Sequence, residues 1–208
     1  MKKSLIDECR ISIAGCLFYH LLPIRRDIVL KNIDRVFNDT YSAKEKKHLA
    51  KSFYSHLFST LREFFFMSWY SEEKLNNMVE IRGIEHLVTA QNQGQGCLLL
   101  TGHLGNWELT SLVAFSRLKT LIGTVHEIRK AIRVKWLERF IFKRVTRYGI
   151  QRIDKQGASR KIIRTLKKKE IVLFIMDQHA ALKHKEGIAV DFFGSKSGTY
   201  RSLAFFCQ

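Results

Sequence analysis

The chain has 208 residues, of which 46% are hydrophobic and 12% aromatic, with a single proline. That is enough to bury a core and too apolar for a disordered chain, so one globular domain over residues 1–208 is expected. A formal net charge of +17 excludes an acidic surface and points to anionic partners: nucleic acid, lipid headgroups or an acidic protein.

Lys2 and Lys3 precede a mostly apolar stretch from Ile11 to Leu22, interrupted by Ser12 and His20. A spanning helix needs about 20 apolar residues, and no small-x-small cleavage signature follows. The expectation is an interfacial, membrane-associating segment over residues 1–24, bounded by Arg25 and Arg26. An ordinary buried helix is the competing reading.

After Pro23, residues Ile28, Val29, Ile33, Val36 and Phe37 mark one side of a helix that ends at Asn38-Asp39-Thr40. Ser42 and Glu45 have the spacing of a capping box. The helix they open is expected to reach about Tyr70, with Leu49, Phe53, Leu57, Leu61, Phe64 and Phe65 in a wide apolar stripe. Met78 to Arg82 alternates like a strand and stops at Gly83. A short helix follows over Ile84 to Gln91.

Cys97 to Thr101 reads as a short buried strand. Gly102 to Asn106 is the loop after it, and Trp107 to about Phe115 the next helix. Leu121 to Val125 reads as strand, Ala131 to Tyr148 as a basic helix, and Gly157 to Lys169 as another. Ile171 to Met176 is the clearest buried strand. Strands alternating with helices predict an α/β fold, a largely parallel central sheet flanked by helices.

The positive charge is unevenly placed: between Arg117 and Glu170 there are 18 basic residues and four acidic ones. The four cysteines, Cys9, Cys16, Cys97 and Cys207, form no C-x-x-C pair and have no histidine at zinc spacing. No metal site and no cofactor are expected, and a reducing compartment is the default.

Sites in open α/β sheets gather outside the carboxyl ends of strands. Two such ends carry polar residues here: Gly102-His103-Leu104-Gly105-Asn106-Trp107-Glu108, and Asp177-Gln178-His179. A histidine in a glycine-flanked loop is presented without crowding. Glu108, five residues on, falls in the first turn of the next helix and can fold back toward it. A carboxylate on one ring nitrogen fixes the tautomer and stabilises the imidazolium, as suits a general base acting on a hydroxyl. Asn106 as a cap and Glu108 near a helix N-terminus also have a structural account.

The string from Gly96 to Leu109, Gly-Cys-Leu-Leu-Leu-Thr-Gly-His-Leu-Gly-Asn-Trp-Glu-Leu, resembles the signature block of the bacterial lipid A lauroyl/myristoyl acyltransferase family. Other blocks agree in order. Pro23-Ile24-Arg25-Arg26 with Asn32 resembles the family's basic helix. Arg144, Arg147 and Gly149 resemble its "R … G" element. Met176-Asp177-Gln178, then Val190-Asp191-Phe192-Phe193-Gly194 with Thr199, resemble its "DQ … FFG … T" segment. The resemblance implies a glycerol-phosphate-acyltransferase-like fold, with His103 as general base and Glu108 as its orienting partner. It maps a further catalytic arginine onto Arg144 or Arg147. Asn106, Asp177, Gln178, Phe193 and Gly194 are the implied substrate-binding residues.

The implied donor is acyl carrier protein. The implied acceptor is a hydroxyl of a lipid A precursor, at an anionic membrane surface on the cytoplasmic face of the bacterial inner membrane. Acyl carrier protein, anionic lipid and phosphorylated saccharide would each give the basic block a partner. The chain ends soon after the FFG segment, where the family continues, so a C-terminal section is expected to be missing. Three rival readings stand: another lipid acceptor (lysophospholipid, glycolipid or polyene-type lipid), a truncated inactive relative, and a nucleic-acid-binding module. Against the last, the aromatics lie in helical apolar stripes and no nucleic-acid-binding motif is present, so no nucleic acid is expected as partner.

Overall fold

A computed structural model describes residues 6–22, 24–130, 134–182 and 187–207. It divides into two compact units, Met1–Trp69 and Tyr70–Gln208.

The first unit is helical: α1 (Ile13–Leu21), α2 (Arg26–Phe37) and α3 (Ala43–Phe66), with short 3-10 turns at Asn38–Thr40 and Met67–Trp69. Ser42 and Glu45 form the expected capping box, the Ser42 N–H donating to Glu45 Oε2 at 2.7 Å and the Glu45 N–H to Ser42 Oγ at 3.4 Å. Pro23 lies outside the described residues.

Helix α1 packs on α3 through small residues. The Ser12 N–H donates to Ser55 Oγ at 3.0 Å, while Ser12 Oγ caps the helix by accepting the Gly15 N–H, also at 3.0 Å. A Cβ on Gly15 would fall 2.2 Å from the Ser55 Cα, so only glycine permits this approach. Tyr19, Ala50 and Tyr54 form the buried centre, and the Tyr54 hydroxyl donates to the Ile24 carbonyl at 2.6 Å.

The other side of α1 is bare: Ile13, Leu17 and Leu21, four residues apart, are 85%, 54% and 72% exposed. Among the described residues, no helix is long and apolar enough to cross a membrane.

The second unit holds the sheet. Helices α4 (Glu72–Met78) and α5 (Ile84–Asn92) lead into β1 (Cys97–Thr101), α6 (Trp107–Ile122), β2 (Val125–Arg129), α7 (Lys135–Arg147), β3 (Ile150–Asp154), α8 (Ala158–Lys167) and β4 (Ile171–Ile175). The four strands run in the order β1-β4-β2-β3, every neighbouring pair parallel. The fold is therefore the expected α/β arrangement, a parallel sheet flanked by helices. Beyond it lie the antiparallel hairpin of β5 (Gly187–Phe192) and β6 (Ser195–Tyr200), and α9 (Ser202–Phe206).

Strand β4 sits between β1 and β2. Its Ile171, Val172, Leu173 and Phe174 are all buried, as a continuous apolar run in a parallel sheet should be. Strand β1 is an edge instead of the buried strand expected, with Leu100 53% exposed.

Three segments differ from the sequence reading. Residues 78–82 form no strand: Met78 ends α4, and the Val79 carbonyl accepts a hydrogen bond from Arg117 Nη1 at 2.9 Å instead of joining a ladder. The strand expected at Leu121–Val125 is shifted to Val125–Arg129. Leu121 and Ile122 close α6, and Gly123, at a positive φ of 73°, donates its N–H to the Lys119 carbonyl to end it. Strand β3 went unrecognised because Ile150 and Ile153, three apart and both buried, break the two-residue alternation of a half-exposed strand. Residues 131–133, the start of the expected basic helix, lie outside the described residues.

Gly15→Val should destabilise the helical unit by about 1–3 kcal/mol, since α1 must move off α3 to admit the side chain. Thermal unfolding followed by circular dichroism measures the loss; an unchanged melting temperature would show that α1 does not pack this way.

Candidate active site

Strands β1 and β4 are parallel neighbours with Thr101 opposite Ile175, so the loops leaving them emerge side by side. His103 lies two residues past one end and Asp177 two past the other. The Asp177 carboxylate grips the histidine twice: Oδ2 accepts the His103 backbone N–H at 2.5 Å, and Oδ1 faces ring Nδ1 at 2.8 Å. Gly102 permits the approach, since a Cβ there would lie 3.1 Å from Asp177 Oδ2.

With Nδ1–H assigned as donor to Asp177, Nε2 is left with its lone pair outward. Gln178 Nε2 stands 3.5 Å from that nitrogen, and the Trp107 ring meets the imidazole edge-on at 5.0 Å. The imidazole is 28% exposed, open enough for a substrate to reach.

The expected pairing of Glu108 with the imidazole is not the one the structure makes. Glu108 lies in the first turn of α6 and faces Arg129 Nη2 at 3.6 Å; the carboxylate on His103 belongs to Asp177. The reason is topological. The partner 74 residues away is delivered by the adjacent parallel strand, whereas Glu108, in the first turn of α6, is turned to Arg129.

Asn106 caps α6, its Oδ1 accepting the Leu109 N–H at 3.2 Å. Arg147 is the exposed last residue of α7; Arg144 lies on the same helix, with its side chain outside the described residues. Phe193 and Gly194, both at positive φ (49° and 69°), make the turn of the β5–β6 hairpin, and Phe193 is 56% exposed. His179 ties that hairpin to the β4 loop, its Nδ1 accepting the Gly198 N–H at 3.3 Å.

A small pocket opens beside the histidine, lined among others by Thr101, Gly102, Trp107, Glu108, Ser111 and Glu127. Glu127 and Arg129, two apart on β2, were not singled out in the sequence. Their signal was present as alternating charge in a strand, hidden by placing that strand four residues too early. Burial pushes the Glu127 carboxyl up; Arg129 pulls it down, Glu108 pushes it up again and His103 lowers it, leaving it raised. Burial raises Asp177 too, but hydrogen bonds from the His103 side chain and backbone, together with the imidazole's charge, outweigh it and hold this carboxyl below its usual range.

Among the described residues, no group of three or more His, Cys, Asp or Glu side chains converges to hold a metal. The exposed side of α8 carries Arg160, Lys161, Arg164 and Lys167, a basic surface suited to an anionic partner.

Fold and site together define a parallel α/β protein with a carboxylate-oriented histidine at the carboxyl edge of its sheet. The chain belongs to the bacterial lipid A biosynthesis acyltransferase family, whose model matches residues 3–207. No curated protein matches it. Membership points to an acyltransferase acting on a lipid acceptor.

The two carboxyls have opposite pH signatures. Asp177, with a lowered folded value, stabilises the fold above about pH 3.9 and loses this contribution only as pH falls through its depressed value. Glu127, with a raised one, costs stability that accrues as pH rises from about 4.3 toward its raised value. Asp177→Asn should therefore lower the melting temperature at neutral pH. Glu127→Gln should raise it, with the gain vanishing as the pH is lowered. Melting curves across pH 3 to 8 would expose a reversed order.

Proposed function

We propose that the protein transfers a fatty acyl chain from an acyl thioester, carried by acyl carrier protein, to a hydroxyl of a lipid A precursor at the cytoplasmic face of the bacterial inner membrane. The observation that carries this reading is the His103–Asp177 pair, with Nε2 directed away from its carboxylate.

The acceptor hydroxyl gives its proton to Nε2 as its oxygen attacks the thioester carbonyl carbon. The imidazolium keeps its Nδ1–H on Asp177, whose negative charge stabilises it. The tetrahedral intermediate then collapses, the C–S bond breaks, and the departing sulfur takes the proton from Nε2. Ester and free thiol result, and the imidazole is neutral again. Arg144 or Arg147 supplies positive charge to the developing oxyanion or to an anionic donor group. Gln178, within reach of Nε2, helps place the acceptor oxygen.

Lipid substrates suit the surroundings. Leu104, next to the histidine, is 83% exposed, and Leu100 on the edge strand is open too. The bare Ile13, Leu17 and Leu21 stripe on α1 supports interfacial membrane binding, and the basic face of α8 supports docking of an acidic carrier protein or anionic headgroups.

His103→Ala should lower acyl transfer by about a hundred- to ten-thousand-fold while leaving the fold intact. Asp177→Asn should cost more than Glu108→Ala, because only the first removes the carboxylate on Nδ1. Mass spectrometry of the acylated product, with purified protein, acyl carrier protein thioester and a lipid A precursor, reads both. Wild-type rates in the His103 variant would end this mechanism.

A further inference from the structure

Arg129 is the last residue of β2, and strand alternation puts it on the same face as Glu127, the face that looks onto the first turn of α6. The register of the sheet sets its height. Glu127 stands opposite Leu173, and Leu173 opposite Leu99. Two residues on, Arg129 comes level with Ile175 and Thr101, at the edge where the His103 and Asp177 loops begin.

The Arg129 side chain is only 18% exposed, and its ionic partner among the described residues is Glu108, with Oε1 3.6 Å from Nη2. Nη1 is out of solvent and meets no acceptor among the described residues. A guanidinium is a planar fork of donors, and a buried charged N–H left without an acceptor is costly and rare. The site therefore holds one aimed donor whose acceptor is not part of the folded chain.

Charge narrows what that acceptor is. Beside the burial that raises it, the Glu127 carboxyl feels Arg129, Glu108 and His103, so the four groups share one field. Two carboxylates around one guanidinium leave no net positive charge to hold a phosphate. They do leave an N–H for a neutral oxygen that gains charge only during reaction.

We infer that Arg129 Nη1 donates to the carbonyl oxygen of the acyl thioester and holds it as it becomes an oxyanion. This rests on the reading of His103 as general base and deepens it on the donor's side. As the acceptor oxygen bonds to the carbonyl carbon, its proton goes to His103 Nε2 and the carbonyl π pair moves onto the oxygen at Arg129. When the C–S bond breaks, that pair re-forms the carbonyl and the sulfur takes the proton from Nε2. Arg129 keeps its own protons throughout. Its hydrogen bond strengthens as charge develops, so it acts on the rate more than on binding. Arg144 or Arg147 is left for the donor's anionic group.

Kinetics with the intact chain, acyl carrier protein thioester and a lipid A precursor separate kcat from KM. Arg129→Met should lower kcat by about a hundred- to a thousandfold and leave both KM values within about threefold. A mere counterion to Glu108 would become dispensable once that carboxylate is neutralised; Arg129→Met with Glu108→Gln should instead stay slow. Arg129→Lys keeps a cation beside Glu108 without the fork, and should lose at least about tenfold in kcat if the methionine variant does not fold. A second measurement needs no turnover. The carbonyl resonance of a 13C-labelled ketone analogue of the acyl-pantetheine thioester, with CH2 in place of sulfur, should move downfield on wild type and not on Arg129→Met.

Near-wild-type kcat in Arg129→Met, recovery in the double variant, or a carbonyl resonance indifferent to Arg129 overturns the inference. A wild type that transfers nothing yet shifts the ketone through Arg129 sinks the proposed reaction and leaves this inference standing. His103-dependent transfer at full rate in Arg129→Met does the reverse.

Discussion

The double hydrogen bond from Asp177 to His103 organises the site, and it exists only because β1 and β4 lie side by side and point the same way. Parallel strands deliver their following loops to one edge. Here that edge brings together residues 74 positions apart and holds both the backbone and the ring of one histidine with one carboxylate. Backbone capture fixes where the loop sits; ring capture fixes which nitrogen faces out. Neither would suffice alone, because a side-chain bond to a loose loop orients nothing. Trp107 then closes one side of the ring from the start of α6.

Charge is sorted in space around this centre. The surface is strongly basic, with α8 presenting several cations in succession, while the pocket beside the histidine is walled by carboxylates. Arg129 stands beside the pocket: it is largely buried, faces Glu108, and its Nη1 meets no acceptor among the described residues. Buried charge of this kind is costly unless it is paired and hydrogen-bonded.

The helical unit answers a different demand. Gly15 against Ser55 brings α1 into close contact with α3, which leaves the opposite, apolar side of α1 uncovered. Such a stripe, too short to cross a bilayer, has the make-up of an interfacial helix. The tight inner contact and the bare outer face follow from one short sequence, Ser12 to Leu21.

What the chain revealed unaided was local. The capping box at Ser42, the apolar run of β4, the glycine-flanked loop around His103 and the alternation of strands with helices are properties of neighbouring residues, and each was legible. So were the polar residues that follow both strand ends. Tertiary structure decided which groups meet. Glu108 is five positions from His103 and Asp177 is 74, yet the second holds the ring, because proximity in a parallel sheet follows strand order and not sequence distance. The same holds for Glu127: its charge was visible, but its place on the pocket wall depends on β2 lying next to β4, a pairing that local periodicity does not encode.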